Sequence, residues 1–252
     1  MNAVIINADD CGINKEVDAE IERFIQLGKI TSTTVMANMD DLEGAKNLYD
    51  LYKDNISFGV HVNLTNGEPL TKSQALLDYG YYKEEDGKVL LNGYPFINKQ
   101  IPKYLHQDII NECVAQINRV RDAGIEVSHI DSHHLMLTSK SMVNMTPSVL
   151  KRTGVKKMRR ARNYIGKKNV SFYVRQAWFL YMKLMAKNVR STDWFDMFIS
   201  FYNQTKEGFY MKGSIELMAH PGGCYPEEDE LILSSDYKKL FTGYKLINYN
   251  QL

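Results

Sequence analysis

Acidic and imidazole side chains in this sequence fall into small, separate groups that could together hold a divalent metal ion. Asp9 and Asp10 are adjacent near the N-terminus, and five of the six histidines lie at or beside predicted strand ends: His61, His129, His133, His134 and His220. Two imidazoles and one carboxylate suit Zn²⁺, Mn²⁺, Ni²⁺ or Co²⁺ and leave positions open for water and substrate. Such an ion acidifies its bound water and polarises a carbonyl group. These residue types therefore predict a metal-dependent hydrolase.

The densest of these groups is the segment SHIDSHH, residues 128–134. In a strand that runs into a loop, alternation places His129, Asp131 and His133 on one side, where all three could contact a metal. Asp131 could instead orient a metal-bound histidine from behind. A solvated polar loop is the alternative interpretation. The Asp9–Asp10 doublet is weaker alone, because adjacent acids are common in turns, but it offers one carboxylate for a metal and one for a proton.

Strands alternating with helices must position these groups. Apolar, β-branched runs predict strands at 2–8, 30–37, 56–64, 125–130 and 213–218, with shorter strands at 155–158 and 244–247. Helical spacing follows Asn14 up to Gly28, and further helices are predicted at 41–53, 103–123, 141–153 and in the tail from 231. Alternation of this kind predicts an α/β fold with mostly parallel strands, in which the strands' carboxyl ends form the active site.

Two stretches interrupt this alternation of strands and helices. Residues 65–101 are rich in Gly, Pro, Asn and Tyr and are predicted to be a long loop with little regular structure, of the kind that covers a site. Residues 163–212 are aromatic and basic and are predicted to be mainly helical. Their aromatic side chains could stack on sugars or belong to the core. With no repeat or linker in view, we expect a single domain over 1–252.

The bulk composition excludes several classes of protein. The chain has 252 residues and a formal net charge of +1, so a nucleic-acid partner is not expected. Neither a signal peptide nor a membrane-spanning segment is recognisable, and no membrane partner is expected. Cys11, Cys113 and Cys224 cannot all pair, which favours a reduced compartment and a cytoplasmic protein. A homodimer is a further possibility.

Five segments, in this order along the chain, resemble those of the YdjC-like carbohydrate deacetylases, which include the chito-oligosaccharide deacetylases. They are NADDCG (7–12), TSTTVMAN (31–38), GVHVNLT (59–65), HIDSHH (129–134) and MAHPG (218–222). The resemblance spans nearly the whole chain and implies an incomplete or distorted (β/α) barrel. It also implies removal of the N-acetyl group from an amino sugar or chito-oligosaccharide, with one divalent ion (Mg, Zn, Ni, Mn or Co) as cofactor.

Carried over to this sequence, the resemblance implies Asp10, His61 and His133 as metal ligands. Asp9 matches the general base, and His220 would be the acid that protonates the departing amine. A histidine acid needs a pKa at or above about 6.5 to donate near neutrality. Cys11 departs from the family pattern, where a large aromatic is usual, and could be either a small core residue or an oxidation-sensitive neighbour of the site.

The arginines 159 and 160 follow a short predicted strand. One of them, Arg159 in particular, could hold a substrate oxygen, although a salt-bridged or surface arginine is the alternative. Two other functions stay open at this point: a different (β/α)-barrel metallohydrolase such as a phosphoesterase, or a non-catalytic sugar-binding module. The phosphoesterase alternative commonly uses two or three ions, and a binding module needs neither a base nor an acid.

Overall fold

The protein is described by a computed structural model that covers residues 2–164, 170–208, 212–223 and 225–252. Within these ranges seven strands form one sheet in the order β6-β3-β2-β1-β8-β7, and the last strand, β9, pairs with β1. All pairings in this sheet are parallel. The strands are β1 (Asn2–Cys11), β2 (Ser32–Val35), β3 (Ser57–Val62), β6 (Ile130–Ser132), β7 (Trp194–Met197), β8 (Ser214–Ala219) and β9 (Tyr244–Leu246).

Helices cover the sheet between these strands. They are α1 (Lys15–Gln26), α2 (Leu42–Tyr52), α3 (Gln74–Tyr79), α4 (His106–Asp122), α5 (Thr146–Thr153), α6 (Val170–Ala186), α7 (Phe198–Lys206), α8 (Pro226–Leu233) and α9 (Asp236–Leu240). Asn14 caps α1 by accepting a hydrogen bond from the Val17 backbone N–H. The run Val4–Ile6 in β1 is fully buried, as expected for a strand with layers on both faces.

The sheet curls into an incomplete barrel, as the family resemblance implies. Its edge strands, β6 and β7, do not pair directly in the described part of the chain. Isolated bridges lead from one edge towards the other, from Ile130 to Met158 and from Lys157 to Arg190. The predicted strand at 155–158 is thus reduced to bridge residues, because it has partners at single positions only.

The stretch 65–101 is more ordered than the sequence predicts. It contains α3 and an antiparallel hairpin of β4 (Tyr82–Glu85) and β5 (Lys88–Leu91). Tyr81, Tyr82 and Leu91 are buried, so the hairpin packs against the main body through its own aromatic and apolar residues. The expectation of little regular structure was therefore wrong, because these few buried side chains do not form a periodic pattern.

Two further boundaries differ from the predicted ones. The strand predicted at 125–130 is regular only at Ile130–Ser132, so His129 precedes it. The stretch 163–212 contains α6 and α7 but also β7, which pairs with β8 and so forms an edge of the sheet. Part of this prediction, residues 165–169 and 209–211, lies outside the described residues. No described helix is long and apolar enough to cross a membrane.

Candidate active site

A β-bulge at the end of β1 brings Asp9 and Asp10 to the same side of the sheet. Along β1 the register advances from Ala8 to Cys11 while β2 advances only from Thr33 to Val35, which leaves one extra residue in β1. Asp10 takes a left-handed conformation (φ 68°), which Asp tolerates better than most residues. Regular alternation would point these neighbours in opposite directions. The bulge instead leaves both carboxylates close to one imidazole, that of His61.

His61, on β3, is the centre of this arrangement. Its Nε2 lies 3.3 Å from Asp10 Oδ1 and 4.0 Å from Asp9 Oδ2. Its other ring nitrogen, Nδ1, lies 2.7 Å from an oxygen of Asp131, the residue directly opposite on β6. Because an ionised carboxylate can only accept, Nδ1 donates to Asp131. This contact fixes the ring and directs Nε2 towards Asp10.

The third potential ligand, His133, begins the segment that follows β6. Its Nδ1 lies 3.0 Å from the same oxygen of Asp10 that faces His61, and its ring packs edge-on against the His61 ring at 5.5 Å. One atom each of Asp10, His61 and His133 lies within 4.8 Å of the others. These distances are those of a group that could share one ion.

Two observations support a cation at this point. Asp10 Oδ1 lies between two ring nitrogens, 3.3 Å from His61 Nε2 and 3.0 Å from His133 Nδ1, so three potential ligand atoms converge on one point. Burial disfavours a charged His61, but Asp131, Asp9 and Asp10 outweigh burial and raise the pKa of His61 well above its usual value. The negative field that holds a proton on this ring would equally favour a metal ion, and the donor set suits a borderline divalent ion.

Beneath the ligands lies a buried ionic network, here called the floor, that consists of Asp9, Asp131, Arg159 and Glu216. Arg159 contacts Asp9 through two nitrogens, at 2.6 and 2.7 Å, and it contacts Asp131 at 2.8 Å and Glu216 at 2.7 Å. No side chain in this network is more than 4% exposed. One guanidinium thus faces three carboxyl groups, so the floor contains more acidic groups than cations.

Burial and ion pairing act in opposite directions on the floor acids. Burial raises the pKa of Asp9, but Arg159 outweighs it through charge and hydrogen bonding, and the pKa falls to about 2. For Glu216 burial prevails over Arg159, and its pKa rises to about 7. Asp9 is therefore firmly ionised at neutral pH, whereas Glu216 is near its titration midpoint.

Sequence reasoning missed several floor contacts. Thr34 on β2 donates to Asp131 Oδ2 at 3.1 Å, and Asn7 donates to Asp9 Oδ1 at 2.9 Å and to Thr34 at 3.0 Å. Tyr249 near the C-terminus donates its hydroxyl to Glu216. Glu216 could have been found because it is the one acid in the otherwise apolar strand Ser214–Ala219. Asn7 and Thr34 lie within two of the segments that resemble the family.

Arg159 and His129 differ from their predicted positions. Every nitrogen of the Arg159 guanidinium is used by the floor acids, so the salt-bridged alternative holds and the idea that it holds a substrate oxygen is wrong. His129 is fully buried and stacks on Tyr249 at 3.5 Å, with Ser128 Oγ 2.8 Å from its Nδ1. It does not lie on the metal side with His133, because the strand begins only after it.

The exposed side of the site, here called the rim, is formed by Asn66, His133, His134 and His220. Asn66 Nδ2 lies 3.3 Å from His133 Nε2, and the His134 ring lies 4.0 Å from the His133 ring. His134 has a left-handed backbone (φ 53°), and burial and the neighbouring His133 lower its pKa to about 4. A cleft of about 90 Å³ begins at His134 and is lined further by Ile97, Lys140, Arg162, Arg175 and Trp178.

His220 follows β8 on the opposite side of the rim. Its backbone N–H donates to Glu228 Oε2 at 3.1 Å, and its ring Nδ1 lies 3.5 Å from the same oxygen. Burial opposes a charged ring, but Glu228, Asp9 and Asp10 outweigh it and raise the pKa of His220. Glu228 is fully buried on α8, so it is a fixed partner for this ring.

The fold and this geometry define an incomplete α/β barrel with a potential metal centre at the carboxyl ends of its strands. The chain belongs to the YdjC-like protein family, because residues 3–246 match the sequence pattern of that family.

Among its relatives, a chitooligosaccharide deacetylase of Yersinia enterocolitica is 29% identical over 98% of each chain. A carbohydrate deacetylase of Clostridium beijerinckii is 32% identical over 59% of this chain and 56% of that protein. A solved structure from Enterococcus faecalis V583, described provisionally as a cellobiose-phosphate cleavage protein, superposes with a TM-score of 0.77 at 22% identity. That match covers 100% of this chain and 99% of that one, and it concerns the fold alone.

Proposed function

We propose that this chain is a metal-dependent carbohydrate deacetylase that removes the N-acetyl group from an amino sugar or chito-oligosaccharide. The observation that carries the proposal is the convergence of Asp10, His61 and His133, with His61 oriented by Asp131. This arrangement occurs in a chain that aligns over 98% of its length with a chitooligosaccharide deacetylase. A cytoplasmic location and a possible homodimer remain predictions from the sequence.

Asp10, His61 and His133 would hold one divalent ion. When bound, the ion would acidify a water molecule and polarise the acetyl carbonyl group. Asp131 holds the His61 ring in place, and Thr34 in turn holds Asp131. Two imidazoles and one carboxylate suit Zn, Ni, Mn or Co, and Mg is a further candidate because the family resemblance implies it.

Asp9 would accept the proton of the attacking water through Oδ2. Its Oδ1 already accepts from Asn7 and Arg159, whereas Oδ2 accepts only from Arg159 among the described residues. A carboxylate oxygen has two lone pairs, so Oδ2 keeps one free. This oxygen is also the one that lies 4.0 Å from His61 Nε2, next to the proposed ion.

His220 would donate a proton to the departing amine. Glu228 lies against Nδ1 of the ring, which leaves Nε2 as the nitrogen able to donate towards substrate. Glu228 and the site aspartates raise the pKa of His220, which favours the protonated ring that an acid requires. Trp178 lines the adjoining cleft together with polar and basic side chains, which would contact the sugar.

The geometry favours this function over the alternatives. A second group of potential ligands, Asp9, His61 and Asp131, has both of its carboxylates bound to Arg159, so it is a poor second ion site. A two-ion phosphoesterase is disfavoured for that reason. A binding module would not need Asp9 beside the ligands or a buried Glu228 behind His220.

The test is acetate release from di-N-acetylchitobiose and longer oligomers by metal-stripped protein, with and without each added ion. We expect metal-dependent acetate release at a stoichiometry of about one ion per chain. His61→Ala and His133→Ala should lose both metal and activity, while His106→Ala, outside the site, should keep both. Asp9→Asn should keep the metal and lose on the order of 10²–10⁴-fold in rate.

Two outcomes would contradict parts of the proposal. Full activity in Asp9→Asn would remove Asp9 as the base. Tight binding of one ion without acetate release from any N-acetylated sugar would leave the metal site standing and reject the deacetylase assignment.

A further inference from the structure

Helix α6 exposes an apolar face that no described part of the chain covers. Phe172, Phe179 and Met182 point into the protein and are buried, whereas the other side of the helix carries large apolar residues. Between 38% and 68% of each of these is exposed: Tyr173, Val174, Leu180, Tyr181, Leu184 and Met185. A surface helix normally carries polar residues on its outer face. A contiguous apolar patch of this kind indicates an interaction surface.

The sequence that contains this helix is rich in basic residues. Between Asp131 and Asp193 the sequence contains no aspartate or glutamate but fourteen lysines and arginines. Because the whole chain carries a net charge of only +1, this excess is balanced by acids elsewhere in the sequence. The basic residues in this interval are Lys140, Lys151, Arg152, Lys156, Lys157, Arg159, Arg160, Arg162, Lys167, Lys168, Arg175, Lys183, Lys187 and Arg190.

Several of these charges are free at the surface. Arg159 and Arg162 are paired internally with carboxylates. By contrast, Lys187 and Arg190, just after α6, are exposed and form no ion pair with any described residue, whereas Arg175 lines the cleft beside the site. Lys151 and Arg152 are also exposed, on α5, which packs against α6. The apolar face is therefore accompanied by unpaired positive charge.

We propose that α6 docks this protein onto an anionic phospholipid surface. A helix that combines apolar and aromatic residues on one face with lysine and arginine beside them binds in the interfacial plane of a membrane. The apolar side chains enter the headgroup boundary, and the basic residues contact anionic headgroups. The sequence-based expectation of no membrane partner considered a spanning segment, which this mode of binding does not require.

The basic residues beside α6 argue against a second copy of this chain as the binding partner of the apolar face. Pairing α6 with α6 of another molecule would place Lys187 and Arg190 of both chains beside one interface, and residues 170–192 contain no acid to offset them. An acidic helix of another protein would satisfy the charge. A lipid surface satisfies both the charge and the irregular mixture of Tyr, Leu and Met, since it requires no shape complementarity.

The experiment is vesicle flotation of the full chain with phosphatidylcholine alone and with added phosphatidylglycerol. We expect flotation only with phosphatidylglycerol, weakening as sodium chloride is raised. Leu180→Gln with Leu184→Gln should reduce partitioning on the order of ten-fold, because each exposed leucine loses its apolar insertion. Lys187→Gln with Arg190→Gln should give a loss of similar order.

Matched variants test whether the effect belongs to α6. Leu27→Gln with Leu51→Gln removes two leucines of similar exposure from elsewhere on the surface, and Lys72→Gln with Lys103→Gln removes two distant charges. Both pairs should float like the unaltered protein. Acetate release from a soluble substrate should be the same in all four double variants, which separates this proposal from the proposed activity.

Absence of flotation with phosphatidylglycerol would overturn the proposal, and so would flotation that the α6 variants leave unchanged. A concentration-dependent dimer in sedimentation, abolished by Leu180→Gln with Leu184→Gln and without vesicle binding, would assign the face to self-association instead.

Discussion

The floor and the rim of the candidate site are built from similar residue types but in opposite environments. In the floor, Asp9, Asp131 and Glu216 share Arg159, and none is more than 4% exposed. On the rim, His133 and His220 are 14% and 20% exposed and have few fixed contacts. The floor therefore sets charge and orientation, whereas the rim is free to meet water and substrate.

This difference indicates where a substitution should cost stability and where it should cost activity. A buried charge without its partner is expensive, because neither water nor protein compensates it. A partly exposed side chain can be hydrated when its partner is lost, so the cost is smaller. Floor variants should therefore unfold more easily, and rim variants should fold normally but work less well.

The largest effect is expected for Arg159→Met. Removing the guanidinium leaves three buried carboxyl groups without their shared cation, and we expect a loss of about 3–5 kcal/mol in the free energy of unfolding. Urea unfolding of the metal-free protein measures it. Arg152→Met, at the exposed end of α5, should change stability by no more than about 0.5 kcal/mol. Equal stability of the two variants would refute the floor as described.

The same variant should change the pH dependence of stability. Asp9 has a pKa of about 2 in the folded protein, below its ordinary value of 3.8, so its ion pair stabilises the fold above pH 3.8. That contribution is lost as the pH falls towards 2. Unfolding measured between these limits should show the loss in the unaltered protein and a flatter dependence in Arg159→Met.

A middle-sized effect is expected for Glu228→Gln, which changes the buried partner of the rim residue His220. Burial lowers the pKa of His220, but Glu228 and the site aspartates raise it, so removing this carboxylate should lower the pKa by up to about one unit. His220 then loses its proton at a lower pH, and the alkaline limb of the kcat–pH profile should shift to lower pH. Glu227→Gln, an exposed acid in the same helical turn, is the control. An unmoved alkaline limb would show that His220 does not depend on Glu228.

The smallest effect is expected for Asn66→Ala. Its amide lies 3.3 Å from His133 Nε2 at the edge of the site, so its loss should loosen the ring without unfolding the protein. We expect up to about ten-fold weaker metal binding, measured by calorimetry, and a stability change within about 0.5 kcal/mol. Asn55→Ala, an exposed asparagine away from the site, should leave both quantities unchanged. A large stability loss in Asn66→Ala would place this residue with the floor.

Much of the architecture was readable from the sequence because it depends on local patterns. Apolar runs alternating with helical spacing were enough to predict parallel strands, and the family resemblance implied the incomplete barrel. The rule that such strands end at one edge also grouped Asp9, Asp10, His61, Asp131, His133 and His220 before any distance was known. The metal and catalytic roles of these residues stay predictions for the experiments above.

Only the tertiary structure decided how these groups face one another. The bulge that turns Asp9 and Asp10 to one side depends on a register between β1 and β2 that no local pattern encodes. Arg159 meets Asp9 across 150 positions of sequence, and Tyr249 meets Glu216 across 33. Charge pairs and registers of this kind arise from packing distant segments together, whereas strand and helix preferences arise from neighbours along the chain. The sequence alone therefore determined which residues gather at this edge, and the packing decided which of them became buried partners and which stayed open to substrate.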